Sequence, residues 1–146
     1  MNGAIQRLDR HDPERPEFAE LRDIADHLVC AEPHHQREEQ VLFPEVEGRG
    51  LTGPPHIMRL EHEDLRRRKH EIQELAERVG EMDFDEFKRR LDVAAKVIVA
   101  TLRDHIFKED HILYPAALQA IPEETVWARM KAACDAIGYC CFTPAA

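Results

Sequence analysis

With 146 residues, 43% of them hydrophobic, the chain has apolar surface enough for one cored domain. Its formal charge of −9 excludes nucleic acid and an anionic membrane surface as natural partners, because both require clustered Lys and Arg. No stretch approaches the roughly eighteen apolar residues of a membrane span, and residues 1–10 lack a basic-then-apolar leader pattern, so the expected location is cytoplasmic.

Helix punctuation is frequent along the chain and strand signals are nearly absent. Residues 1–8 carry Ile5 and Leu8 as a short apolar remnant, and His11 beside Asp12-Pro13 reads as loop. Pro16 opens a helix through Leu21, Ile24, Leu28 and Leu42 that loses register after Pro44, with Pro33 as an internal kink. A glycine-bearing loop, residues 47–53, leads to Pro54 and Pro55. These start a second long helix whose stripe of Met58, His62, Leu65, Ile72 and Val79 stops at Gly80. Its basic run, residues 66–69, is flanked by Glu61, Glu63, Asp64, Glu71 and Glu74 and reads as a solvated face.

Asp83 with Glu86 three residues later is a capping-box pattern for a third helix through Leu91, Ala94, Ile98, His105 and Ile112 to Pro115. Pro122-Glu123-Glu124 opens a shorter helix with Trp127 and Met130 on its apolar side and Gly138 as its stop. The four cysteines lack CxxC spacing, and Cys134, Cys140 and Cys141 read as reduced thiols in or after that last helix. The expected fold is an all-α up-down helical bundle with a short additional C-terminal helix. Its divisions are a first-helix remnant and linker (1–15), the bundle (16–120) and the C-terminal helix with its irregular tail (121–146).

Nine histidines are an excess, and two of them head a repeated pattern. His35, Glu39, Leu42, Phe43 and Pro44 are echoed by His105, Glu109, Leu113, Tyr114 and Pro115. Residues i and i+4 share a helical face, so each segment can offer an imidazole and a carboxylate to one point. Leu21, Leu28, His35 and Leu42 recur every seven residues, as do Ile98, His105 and Ile112, which turns both histidines inward. Aligning the segments on their prolines instead matches His34 and Glu38 with His105 and Glu109, and both registers stay open. Burying two imidazoles and two carboxylates without compensation costs several kcal/mol per ion, so a metal cation is expected to offset them. His62 is a third inward histidine.

The run from His34 to Pro44, the Glu61-His62 pair, and His105-Ile106-Phe107-Lys108-Glu109-Asp110 followed by Leu113-Tyr114-Pro115 resemble the hemerythrin-like HHE cation-binding domain over residues 16–120. The resemblance implies metal ligands at His35, Glu39, His62, His105 and Glu109. His34, Glu38 and Asp110 follow as second-choice ligands, Asp110 because some members use the position five after the histidine. It also implies a four-helix bundle with a non-haem, commonly di-iron, centre and a small diatomic ligand, oxygen or nitric oxide. Imidazole and carboxylate without thiolate suit iron or manganese, with zinc and copper as competitors.

The family's first helix is reduced here to residues 1–8, so the chain reads as shortened. The faces carrying Leu28, His35, His62, Leu65, Ile98 and His105 are then expected to stay partly uncovered, favouring either self-association into a homo-oligomer or a loosely packed monomer. Met58 reads as core, His27 as the edge of the site, and His56, His70 and His111 as surface.

No nucleophile with its base, phosphate loop or organic-cofactor motif is present, so no catalytic residue is assigned. The expected function is non-haem iron binding for oxygen, nitric oxide or iron sensing and handling, more a binding protein than an enzyme. The alternatives are a di-iron oxidative enzyme or iron-centre repair protein, and a metal-free helical interaction module.

Overall fold

The computed structural model describes residues 1–140 and is built from helices, with no strand among the described residues. The elements are α1 (Asn2–Gln6), α2 (Pro16–Cys30), α3 (Glu32–Arg37), a π-helical turn (Glu38–Leu42), α4 (Phe43–Glu47) and α5 (Gly53–Glu77). After a 3-10 turn (Val79–Glu81) come α6 (Phe84–Lys108), a second π turn (Glu109–Leu113), α7 (Tyr114–Ala120) and α8 (Glu124–Ile137).

These elements form two compact units, and α5 and α6 each contribute to both. The first comprises Met1–Val29 and Leu65–Leu102. Phe18, Leu21 and Ala25 make the inward stripe of α2, spaced three and four apart, while Ile24 beside them is partly exposed. They pack with Leu65, Ile72, Leu75, Phe87, Leu91 and Ile98, and Ile5 of α1 is fully buried in the same core. The backbone N–H of Glu86 donates to Asp83 Oδ1 at 3.0 Å, so the expected cap starts α6.

The basic run on α5 is not uniformly solvated. Lys69 is buried, because it falls four residues after Leu65 and seven after His62, on the stripe that turns inward. Its neighbour Arg67 remains exposed.

The second unit comprises Cys30–Asp64 and Arg103–Ala146. Where a single kinked helix was expected, α2 ends at Cys30 and α3 begins at Glu32. Pro33 cannot donate to the carbonyl four residues back, and its ring collides with that carbonyl, so the helix restarts. Val46, Ala117, Ile121 and Met130 form one apolar cluster, and Phe43, Met58 and Leu113 a second. Trp127 Nε1 donates to Ile121 O at 2.8 Å, tying α8 to the end of α7. Gly138, at φ +99°, terminates α8 with its N–H on Cys134 O at 3.1 Å, a backbone conformation that side-chain-bearing residues rarely adopt.

Both π turns end one residue before an aromatic-proline pair. Pro44 and Pro115 lack the N–H that would bond Gln40 and His111 in an α-helix, and the wider turn relieves the clash of each ring with that carbonyl. Each π turn shifts the following side chains by about one position. That corrects the seven-residue stripe: Ile112 is 49% exposed and Leu113 is fully buried.

The expectation of an uncovered groove is also corrected. His35, His62, Leu65, Ile98 and His105 are all buried within this single chain, and Leu28 is half-buried. Cys134 and Cys140 are free thiols, whereas Cys30 is disulfide-bonded, a pairing that cysteine spacing alone does not reveal. Cys141 and the rest of the expected tail lie outside the described residues.

Candidate metal centre

Within the second unit, α3 and its π turn, the first part of α5, and the end of α6 with its π turn direct their histidines and carboxylates to one buried place. His35, His62 and His105 each offer a ring nitrogen, and Glu38, His62, His105 and Glu109 form an overlapping set; within each set the donor atoms lie within 4.8 Å of one another. All five residues are buried. The His35 ring stacks on His62 at 4.0 Å between centroids and 8° between planes, and His105 meets His62 edge-on at 4.9 Å.

Outer carboxylates fix two of the imidazoles. His62 Nδ1 lies 2.8 Å from Glu39 Oε1, and His105 Nδ1 lies 2.9 Å from Glu61 Oε2. An ionised carboxylate only accepts, so each Nδ1 carries the proton and donates it. In the neutral rings Nε2 is then a lone pair. His62 Nε2 faces Glu38 Oε2 at 3.2 Å, and His105 Nε2 faces Glu109 Oε1 at 3.0 Å. Two acceptors at such distances repel unless a cation stands between or beside them. Glu38 Oε2, His62 Nε2 and His105 Nε2 are also buried with no hydrogen-bond partner among the protein atoms. Orphaned nitrogen and oxygen atoms of this kind fit a metal ion, and the donor set fits iron or manganese better than a thiolate-seeking metal.

Surrounding groups tune the carboxylates. Burial works to raise the Glu109 carboxyl, but the His105 and His34 imidazoles that face it outweigh burial and hold the group down at about 2. Burial works to lower His105, and the facing carboxylates of Glu109 and Glu61 prevail, so its basicity is raised. Tyr114 donates its hydroxyl to Glu38 Oε1 at 2.8 Å, leaving Oε2 directed at the cluster. Burial first, and the Glu38 charge second, raise the Tyr114 hydroxyl far above its usual range, so it remains a donor. Lys108 bridges Glu61 and Asp104, which fixes the carboxylate behind His105.

Of the residues anticipated from the sequence, His35, His62, His105 and Glu109 come together here. On the first segment Glu38 joins them, and Glu39 stands behind His62 instead. His34, 38% exposed at its side chain, reaches Glu109 Oε1 at 3.3 Å and Glu38 Oε2 at 3.8 Å. Asp110 is exposed and outside the cluster, Met58 lies in the apolar cluster, and His27, His56, His70 and His111 are exposed. Sequence reasoning gave no role to Glu61 or Tyr114, although Tyr114 stood in the repeated Leu-aromatic-Pro signature.

Helices converging histidines and carboxylates on a buried point define an all-α cation-binding bundle. The model of the hemerythrin HHE cation-binding domain matches residues 1–117, and the chain belongs to that family. Among curated proteins it is similar to the iron-sulfur cluster repair protein YtfE of Yersinia pseudotuberculosis serotype IB (strain PB1/+) and of Yersinia pestis (strain Pestoides F). Each is 27% identical over 125 residues, covering 82% of this chain and 55% of the relative. The chain thus spans about half the length of the curated relatives it matches. No helix among the described residues is long and apolar enough to cross a membrane.

Proposed function

We propose that this chain holds non-haem iron, as a pair of ions, and serves iron handling in the response to oxygen or nitric oxide. The observation that carries the reading is the convergence of His62 Nε2 and His105 Nε2 on Glu38 and Glu109, with both Nδ1 atoms already committed to outer carboxylates. Glu38, His62, His105 and Glu109 would hold the metal with His35 and His34, while Glu39 orients His62. Bound iron would supply a redox-active centre able to take a small diatomic ligand. The chain's own part is to keep Glu109 ionised, to present Glu38 through Tyr114, and to exclude water with the Phe43, Met58 and Leu113 cluster.

Elemental analysis of protein purified without chelator tests the reading, with a visible spectrum recorded under air and after nitric oxide. Two irons per chain and a spectrum that changes reversibly with the gas are expected. Protein that binds no transition metal after anaerobic loading with ferrous iron would overturn it.

The names of the relatives favour a second reading, repair of damaged iron centres. Under that reading the iron-loaded chain passes iron to an apo iron-sulfur acceptor, and the acceptor's cluster absorbance returns. Reversible gas binding without iron transfer selects the first reading over it.

A further inference from the structure

Beside the metal cluster, in the same unit, lies a cavity of about 480 Å³, within the size range of small-molecule sites. Its walls are Leu42, Ala117, Trp127, Met130 and Cys134. Trp127, Met130 and Cys134 belong to α8, which lies beyond the residues matched by the family domain, so this wall is a feature of the chain outside that domain. Burial raises the Cys134 thiol, as expected of an apolar surround.

The charged lining is lopsided. Arg37 and Lys131 both line the cavity, in a chain whose net charge is −9, and the carboxylate that reaches it, Glu38, already accepts from Tyr114. Arg37 uses one N–H on Gly138 O at 2.7 Å and lies over the Tyr139 ring, which holds its guanidinium in place at the cavity. Lys131 is paired with Asp135 on the exposed side of α8. An apolar cleft with Arg37 held at its lining and the exposed Lys131 at its rim matches a ligand with a hydrocarbon body and one anionic head.

We infer that this cavity binds a medium-chain carboxylate, its chain against Leu42, Ala117, Trp127 and Met130 and its head at Arg37 and Lys131. The site goes beyond iron binding and does not depend on it. Tyr114 lines the cavity and donates to Glu38, so an occupant touches a residue bonded to the metal cluster.

Trp127 is the single tryptophan, so its fluorescence reports occupancy directly. Decanoate is titrated into the full chain, with and without iron, and decanol serves as the uncharged control. Decanoate is expected to give a saturable change, and decanol to bind about tenfold more weakly, as for loss of one charge-assisted contact. The double variant Arg37→Gln with Lys131→Gln should bind both alike. Leu118→Glu places a carboxylate on the lining at an exposed position, where it does not threaten the fold, and should weaken decanoate at least about tenfold. No saturable change, equal binding of decanoate and decanol by the unmodified chain, or unaltered binding by Leu118→Glu would each overturn the inference. Loss of iron binding with decanoate binding retained would count against the metal reading alone.

Discussion

The Nδ1–H of His105 donates to Glu61 Oε2 at 2.9 Å, and Glu61 is itself held by Lys108. A carboxylate behind a histidine fixes the tautomer, aims Nε2 and raises its basicity. Glu61→Gln removes the charge and can present an amide N–H where an acceptor is required. Iron affinity is expected to fall roughly 10- to 100-fold, the usual cost of losing such a partner, while helical content is kept. Competition against a chelator of known affinity measures it, and an unchanged affinity would show that Glu61 does not orient the ring.

Glu38 and Glu39 should separate in the same assay. Glu38 Oε2 faces His62 Nε2 at 3.2 Å, whereas Glu39 touches only the far side of that ring, at Nδ1. Glu38→Ala is therefore expected to abolish iron retention at one of the two positions, and Glu39→Ala to weaken it only by the roughly 10- to 100-fold of an orienting partner. Elemental analysis after gel filtration distinguishes the two outcomes, and the reverse order would restore the seven-residue register on this segment.

Removing His105 or Glu109 tests the opposite face. Packing is spread over many apolar residues and ligation is not, so His105→Ala and Glu109→Ala should each lose bound metal while the circular dichroism of the helices survives. Full metal content in both variants would exclude the end of α6 as a ligand donor.

Tyr114→Phe deletes the donor to Glu38 Oε1 and nothing else of the ring. The bond is half-buried and charge-assisted, so about 1.5–3 kcal/mol of stability is expected to be lost in metal-free protein, read from urea unfolding. A change below about 0.5 kcal/mol would mean that solvent replaces the hydroxyl.

The helices, the inward turn of His35, His62 and His105, and the repeated signature were legible because apolar spacing and proline placement act locally. The choice between Glu38 and Glu39 was not, since a π turn changes the angle per residue and no three-letter spacing reveals it. The Pro-anchored alignment came nearer, because it pairs Glu38 with Glu109 and the two π turns occupy matching places before Pro44 and Pro115. It did not anticipate that His35 is buried while His34 stays at the rim. Glu61 and Tyr114 stand in the signature without a role, because their roles depend on which element they face, and that is set by tertiary packing.

Where the sequence offers only residues 1–8 as a first helix, the structure sets Ile5 into the core. This side chain is fully buried in the core of the first unit, packed among residues of α2, α5 and α6. Two polar anchors hold the short helix to α6: Asn2 Nδ2 donates to Asp92 Oδ1 at 3.1 Å, and Gln6 Nε2 donates to Lys88 O at 2.8 Å. If α1 closes that core, Ile5→Ala should cost about 2–5 kcal/mol, the range for truncating a buried aliphatic side chain and leaving a cavity. Urea unfolding of the metal-free chain supplies the number. A cost under about 1 kcal/mol would show that the segment lies loosely on the core, and would return the exposed groove as the better description.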